Sequence, residues 1–268
     1  MKVHITDDFD LKKIQDSGQC FRVRETGNGI WRFIHLDRIL YISRTGESEY
    51  EVSAGEDEWR EIWQPYFDLD RSYESIRQAI PEEDAFLKRA SEYGKGIRIL
   101  KQDPWEMLVT FIISQRKNIP AISKSVELLC ERFGRRADTE EELFFFPDSE
   151  EMSGADEEAL RECKLGYRAP YVLDAVNKVR SGEIDLCKLN EYDDRKLFEA
   201  LKTINGVGDK VANCICLFAY GRTALVPVDT WIARVIETEY NGQSPFDRYG
   251  GAGGILQQWA FYYARETG

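Results

Sequence analysis

Leu-Lys-Thr-Ile-Asn-Gly-Val-Gly-Asp-Lys-Val-Ala, residues 201–212, is the stretch that predicts how this chain folds. It joins a segment with helical periodicity, Asp193 to Lys202, to a second such segment, Asp209 to Tyr220. Gly206 and Gly208 allow a tight turn with positive φ and a close approach to a ligand. The unpaired N–H groups that open the second helix suit an anion such as a DNA phosphate. Taken alone, the glycines fit an ordinary turn between two helices equally well.

Lys210 lies in the first turn of the second predicted helix. A cation there opposes the helix dipole, and the apolar residues Cys214 and Phe218 follow on the same face. Partial desolvation and a nearby positive partial charge both favour a neutral, nucleophilic amine. The alternative is a surface lysine with a solvated ammonium, which is the usual fate of lysine.

Asp229 ends an extended segment and precedes a segment with helical spacing, residues 230–235. This position predicts a helix N-cap, in which backbone N–H groups keep the carboxylate ionised. If the carboxylate also faces Lys210, it can stabilise the positive charge that develops on a deoxyribose ring as a base leaves. The two residues together therefore point to removal of a base from DNA.

The spacing of polar and apolar residues changes once along the chain. Residues 21–24, 30–36, 39–43 and 50–52 alternate in polarity between turn signals, which predicts an antiparallel meander. From Trp59 the spacing is helical, and residues 103–106, Asp-Pro-Trp-Glu, form a helix start. The predicted fold class is α+β, with an N-terminal antiparallel β domain and flanking helices over 1–95. A mostly helical domain follows over 96–268, with the hairpin at about 193–221.

Five segments, in order, resemble the 8-oxoguanine DNA glycosylases of the helix-hairpin-helix superfamily: residues 16–22, 102–114, 164–169, 206–217 and 226–229. The resemblance implies a bifunctional enzyme that excises 8-oxoguanine through a lysine Schiff base and nicks the strand by β-elimination. It implies no redox cofactor or catalytic metal, although the superfamily suggests a structural monovalent cation at the hairpin carbonyls. Two alternatives stay open, a glycosylase for another damaged purine and a non-catalytic DNA-binding module.

The same resemblance assigns a base pocket. The carbonyl of Gly18 would accept a hydrogen bond from N7–H of 8-oxoguanine, whereas guanine has a lone pair there, a difference of roughly 1 to 3 kcal/mol. Gln257 would read the Watson–Crick edge, and Phe261 would stack on the base opposite Cys214. The predicted pocket comprises Gly18, Cys214, Phe218, Gln257 and Phe261. Without the resemblance, core packing explains the apolar members and a turn before a strand explains Gly18.

A DNA-contacting surface is also implied. Tyr167 would wedge into the opened base step, and Arg168 would donate to the orphaned partner base. Many members of the family carry a run of asparagines after the central helix, where this chain has Gln115-Arg116-Lys117-Asn118, and an arginine where it has Ala121. We therefore expect a weaker preference for cytosine, with Arg116 filling the vacated position. The predicted DNA-binding set is Gly206, Val207, Gly208, Tyr167, Arg168, Arg116, Lys117 and Asn118.

Charge and cysteine content limit how the protein can bind DNA and where it can be located. The chain has 36 Lys+Arg against 48 Asp+Glu, a net charge of −12, so DNA affinity must come from a local basic surface. No apolar run reaches the length of a membrane span, and no secretory signal is visible. The six cysteines show no metal-binding spacing and fit reduced thiols. We expect a monomer inside the cell that binds 8-oxoguanine-containing duplex DNA and no membrane; if the host is a prokaryote, the compartment is the cytoplasm or nucleoid.

Overall fold

The computed structural model describes residues 1–268 and confirms an α+β fold. One antiparallel sheet has the strand order β1-β5-β4-β3-β2, with β1 Lys2–His4, β2 Arg24–Gly27, β3 Ile30–His35, β4 Arg38–Arg44 and β5 Glu49–Val52. Three of these strands are predicted from alternation, but β2 begins where the predicted run 21–24 ends. Strand β1 is not predicted at all, because three residues are too few to show a period of two.

Fourteen α-helices account for most of the remaining chain. The first five are α1 Leu11–Asp16, α2 Glu56–Glu58, α3 Gln64–Tyr66, α4 Tyr73–Gln78 and α5 Ala85–Tyr93. The next seven are α6 Pro104–Ser114, α7 Ile119–Phe133, α8 Glu157–Glu162, α9 Ala169–Arg180, α10 Leu186–Leu189, α11 Asp194–Lys202 and α12 Asp209–Phe218. The last two are α13 Thr230–Tyr240 and α14 Gly253–Thr267. A π-helical segment, Trp59–Trp63, and two 3-10 helices, Gly166–Arg168 and Phe246–Ala252, complete the set.

The chain forms two compact units that are not contiguous in sequence. The first comprises residues 1–33, 40–101 and 221–268, and the second comprises 34–39 and 102–220. The predicted division into 1–95 and 96–268 places the C-terminal segment differently. This segment belongs to the first unit because α14 packs on α5. There Trp259 Nε1 donates to the Ile97 carbonyl at 3.2 Å, and a Cβ on Gly94 would lie 2.7 Å from the Trp259 ring.

The core of the first unit is aromatic. The ring of Phe67 makes edge-to-face contacts with Phe9, Phe33 and Tyr66, at centroid distances of 5.1, 5.0 and 5.1 Å. All four side chains are buried. Edge-to-face pairs of this kind add stabilisation beyond the apolar area that they remove from water. The cluster joins the sheet to the helices that follow it.

The second unit is built around α6, whose residues from Met107 to Ser114 are all buried. Helix α6 packs against α7, α9 and α12. Its N-cap is the predicted one, since Asp103 Oδ1 accepts from the Glu106 N–H at 2.8 Å. On the side facing α12, the ring of Phe111 stacks on Phe218 with centroids 5.5 Å apart. Helix α6 thus supports the helix that carries Lys210.

His35, in the part of β3 that belongs to the second unit, should make the protein sensitive to mild acid. Burial lowers the pKa of its imidazole to about 4, outweighing the attraction of the Asp37 carboxylate. An unfolded histidine titrates near 6.5, so the unfolded state binds the proton first and stability falls as pH drops from 6.5 towards 4. Between pH 7 and pH 5 we expect a loss of about 2 kcal/mol in the free energy of unfolding.

Denaturant unfolding at the two pH values measures this loss. His35→Gln, which cannot take up the proton, should remove most of the difference between pH 7 and pH 5. His4→Gln provides the matched control, because His4 is exposed in β1. An equal pH dependence in wild type and His35→Gln would show that another group is responsible.

Candidate active site

The hairpin turn lies between α11 and α12, but only one of its two glycines has the predicted conformation. Gly206 has a φ of +82°, and a Cβ there would lie 2.5 Å from the ring of Tyr171. Gly208 has a φ of −93° and a ψ of −177°, extended backbone that any residue adopts, so the positive φ predicted for it is wrong. No atom lies within 4 Å of a Cβ built on Gly208. The backbone at Gly208 is therefore open to a ligand, whereas the side chain of Val207 is buried.

Helix α9 holds the turn in place. Lys178 Nζ donates to the Thr203 carbonyl at 2.6 Å, and the Asn205 N–H donates to Asp174 Oδ2 at 2.8 Å. Tyr171, which contacts Gly206, lies on the same helix. Successive turns of α9 therefore hold the hairpin turn at three points. These anchoring residues were not identifiable from sequence, because no local pattern links α9 to the turn.

Lys210 lies in the first turn of α12, as predicted. Its side chain is half-buried, with Nζ 5.2 Å from the centroid of the Phe111 ring, and it makes no ion pair or hydrogen bond. Gly208 is the N-cap and supplies no side chain, so the first N–H groups of α12 have no side-chain acceptor. By contrast, Lys202 in the same hairpin pairs with Asp209 Oδ1 at 2.9 Å. The hairpin therefore contains one lysine whose amine has no partner and rests on an aromatic face.

The second helix of the hairpin is shorter than predicted. It ends at Phe218 rather than Tyr220, and Gly221 has the positive φ, +64°, that is typical of a residue after a helix end. Cys214 and Phe218 are buried on this helix. Because Phe218 stacks on Phe111, its ring is packed as a core side chain, which is the alternative to a role in the base pocket.

Asp229 is the N-cap of α13 in the first unit, which confirms the predicted cap. Its Oδ1 accepts from the Ile232 N–H at 2.9 Å, and the side chain is half-buried. A capping carboxylate is stabilised in its ionised form by the N–H groups it accepts from. Lys210 belongs to the second unit, so the pairing of these two residues stays a prediction.

Three predicted pocket residues lie in the first unit. Gln257 in α14 is buried, and its Oε1 has no hydrogen-bond partner. An unsatisfied buried acceptor costs about 1 to 3 kcal/mol, which an N–H group of a bound base would recover. Phe261, one turn further along α14, is half-buried beneath the guanidinium of Arg265, 5.3 Å from its centroid. Gly18 has a φ of +79° after α1, as its proposed turn requires.

The predicted wedge residue is exposed, but its neighbour is not. Tyr167 is 48% exposed in the 3-10 helix Gly166–Arg168, whereas Arg168 is only 6% exposed. Arg168 Nε and Nη2 donate to the Gln115 carbonyl, the former at 2.8 Å, and Nη1 donates to the Leu165 carbonyl at 3.1 Å. Three of the five N–H groups of Arg168 thus donate to the protein, and its contact with an orphaned base stays a prediction.

The segment between α6 and α7 contains the other predicted contacts. Arg116 is exposed with no bonded partner and has a φ of +52°. Asn118 caps α7, its Oδ1 accepting from the Ala121 N–H at 2.9 Å. Lys117 does not point freely to solvent as a phosphate contact would, because its ammonium binds Ser125 Oγ and the Lys164 carbonyl. Burial, with repulsion from Arg168 and Lys164, lowers the pKa of Lys117.

The comparison with known families covers most of the chain. Residues 2–108 match the N-terminal domain of 8-oxoguanine DNA glycosylase, and residues 109–244 match the HhH-GPD superfamily of base excision DNA repair proteins. None of the helices has the combined length and apolar character needed to cross a bilayer.

Individual relatives agree with the family models. The structure of MBOgg1 with a low-affinity DNA ligand is 39% identical, with a TM-score of 0.93 over 99% of this chain and 95% of that chain. The Clostridium acetobutylicum 8-oxoguanine glycosylase/lyase, in complex with double-stranded DNA containing cytosine opposite 8-oxoG, is 33% identical, with a TM-score of 0.90 over 99% and 98%. The Saccharomyces cerevisiae N-glycosylase/DNA lyase is 36% identical over 192 residues, 65% of this chain but 50% of the yeast protein. The chain belongs to the HhH-GPD superfamily of base excision DNA repair proteins and carries the N-terminal domain of the 8-oxoguanine DNA glycosylases.

Proposed function

We propose that this protein excises 8-oxoguanine from duplex DNA and then nicks the strand, with Lys210 as the nucleophile. The observation that carries the proposal is the unpartnered amine of Lys210 at the start of α12, directly after the hairpin turn. The relatives named above are an N-glycosylase/DNA lyase and an 8-oxoguanine glycosylase/lyase, which supports the same chemistry. Family membership thus favours this function over a DNA-binding module that lacks catalysis.

The reaction uses groups of the protein and the DNA, together with water, which finally hydrolyses the Schiff base. The neutral amine of Lys210 attacks C1′, the bond from C1′ to the base breaks, and the base leaves with the electron pair and takes up a proton. The amine then passes its extra proton to O4′ as the bond from C1′ to O4′ breaks and the sugar ring opens, which leaves a protonated Schiff base between Nζ and C1′. Removal of a proton from C2′ then expels the 3′ phosphate, so the strand is cut. Asp229, ionised as a helix cap, stabilises the positive charge on the sugar while the base departs.

Base recognition follows from the remaining pocket residues. The target nucleotide must leave the helical stack before C1′ can be reached, so a pocket has to replace its stacking and pairing. The Gly18 carbonyl selects the N7–H of 8-oxoguanine, and Gln257 Oε1, which lacks a partner, accepts from the base edge. Phe261 and Cys214 cover the two faces of the base. Tyr167, whose ring is exposed, fills the step that the base vacates.

The backbone of the hairpin contacts a phosphate. The open space at Gly208 lets a phosphate approach the first N–H groups of α12, where the helix dipole favours negative charge. A monovalent cation at the hairpin carbonyls stays a prediction. The carbonyls of Thr203, Ile204 and Gly206 already accept from protein donors, so such an ion would share their oxygens or use the other carbonyls of the turn. No step of the reaction depends on it.

The partner of the protein is duplex DNA, and we expect it to act as a monomer on DNA inside the cell. Cytoplasm or nucleoid is the compartment expected in a prokaryotic host. Analytical ultracentrifugation of the free protein and of its complex with one lesion duplex tests the stoichiometry.

Borohydride trapping tests the proposed reaction. Purified protein is incubated with a duplex that contains one 8-oxoguanine, or with the same duplex carrying guanine, and the Schiff base is reduced. We expect a covalent adduct and a nicked strand with the lesion only. Free-base release without an adduct would indicate a glycosylase that does not use an amine, tight binding without release would indicate a binding module, and release of an alkylated purine instead would reassign the substrate.

A further inference from the structure

Two loops of the second unit hold each other by reciprocal hydrogen bonds from cations. We call residues 115–118 the opening loop and residues 164–168 the wedge loop. Lys117 of the opening loop donates to the Lys164 carbonyl of the wedge loop at 2.7 Å and to Ser125 Oγ at 2.6 Å. Arg168 of the wedge loop donates twice to the Gln115 carbonyl of the opening loop. Each loop thus supplies one cation and one carbonyl to the other.

The backbone in both loops is unusual. Arg116 has a φ of +52° and Lys164 a φ of +62°, conformations that non-glycine residues adopt at a free-energy penalty. In the opening loop, the residues on either side of Arg116 take part in the reciprocal bonds. In the wedge loop, Lys164 and Arg168 take part in these bonds, and the exposed Tyr167 lies between them in the sequence. The bonds therefore hold in place two segments whose exposed tips are Arg116 and Tyr167.

The two bonded cations have no acidic partner, which argues against an ordinary stabilising ion pair. The hydrogen bonds of Lys117 and Arg168 go to carbonyl and hydroxyl oxygens, and the guanidinium of Arg168 also lies 4.3 Å from the centroid of the Tyr167 ring. Burial, and then the proximity of Arg168, lowers the pKa of Lys117. Two part-buried like charges repel each other, so this arrangement is unfavourable for folding alone. The two part-buried cations are explained if the opening loop and the wedge loop must be held in a fixed position relative to each other.

We propose that Lys117 and Arg168 are positioning residues that clamp the opening and wedge loops together, so that Arg116 and Tyr167 enter the duplex as one rigid unit. The inference rests on the proposed function and adds to it. It replaces the role of Arg168 as a reader of the orphaned base. Gln115 extends the clamp to the hairpin, since its Nε2 donates to the Gly206 carbonyl at 3.0 Å. Strand opening and the hairpin contact are then set by one connected network in the second unit.

If Lys117 and Arg168 clamp the two loops, replacing either residue should slow the opening of the duplex and leave the chemical steps unchanged. We would measure single-turnover excision at saturating protein for Lys117→Met, Arg168→Met and the double variant. One substrate has 8-oxoguanine paired in a duplex, and the other has it in an unpaired bubble, where opening is already done. Each single variant should lose about tenfold on the duplex and little on the bubble, because misplaced groups reduce only the step that they position. The double variant should lose no more than either single one, since both bonds hold the same two loops.

Opposite-base dependence separates the clamp from base reading. With the lesion opposite cytosine or opposite an abasic analogue, Arg168→Met should lose the same factor if it clamps the loops. Lys124→Met is the charge-matched control, because this lysine is exposed on α7 without a partner and should excise at the wild-type rate. Equal losses on duplex and bubble, additive losses in the double variant, or a loss confined to cytosine would each overturn the clamp. Absence of excision by the wild type on both substrates would instead refute the proposed function.

Discussion

Replacing Lys210 by glutamine should lower single-turnover excision of 8-oxoguanine by about 1,000-fold or more and abolish the borohydride adduct. Glutamine is shorter and uncharged, so it loses the contact of Nζ with the Phe111 ring as well as the amine, and its amide nitrogen has no nucleophilic electron pair. Duplex affinity should stay close to that of wild type, because one cation among several phosphate contacts contributes modestly. Rates at saturating protein and fluorescence anisotropy measure the two quantities separately.

Lys202→Gln is the matched control for Lys210→Gln. It removes the same charge from the same hairpin, but Lys202 is paired with Asp209 and its exposed ion pair contributes little to stability. We expect this variant to form the adduct and to excise at a rate near that of wild type. An adduct that survives in Lys210→Gln and disappears in Lys202→Gln would assign the nucleophile to the other lysine.

The features that sequence predicted well depend on contacts between near neighbours in the chain. The caps at Asp103 and Asp229 each involve an N–H group three residues later, so residue type and position suffice to identify them. The hairpin likewise depends on a local property, the positive φ that Gly206 adopts in the turn. Strands β3 to β5 were found because alternation over several residues reports a half-buried sheet.

The features that sequence did not predict depend on partners far along the chain. Periodicity shows that α14 has an apolar face but not that this face meets α5, so sequence alone does not group residues 221–268 with the first unit. The orientation of Arg168 is a similar case. An arginine beside an exposed tyrosine in a loop suggests a donor to DNA, and only the three-dimensional position of the Gln115 carbonyl shows where its donors go. Resemblance to a family transfers residue types, whereas the direction of a side chain depends on what surrounds it.

Gly206→Ala should destabilise the protein by about 2 to 5 kcal/mol, because a positive φ is unfavourable for alanine and the added methyl would overpack against Tyr171. The Cβ would lie 2.5 Å from the tyrosine ring, and hydrogen bonds at Asn205 and at the Gly206 carbonyl hold the backbone of the turn in place. Thermal and denaturant unfolding measure the loss. An unchanged midpoint would mean that Tyr171 moves aside without penalty and that the turn is not held as described.

Gly208→Ala should separate binding from folding at the same turn. Its φ is −93° and its Cβ would meet no atom, so alanine should leave the unfolding midpoint unchanged. If a phosphate packs against the first N–H groups of α12, however, the new methyl lies in its path and duplex affinity should fall about tenfold. The affinity should fall equally for lesion and undamaged duplex, since a phosphate contact carries no sequence information. Unchanged affinity in a stable Gly208→Ala variant would remove the phosphate from the hairpin and leave the turn as a purely structural connection between α11 and α12.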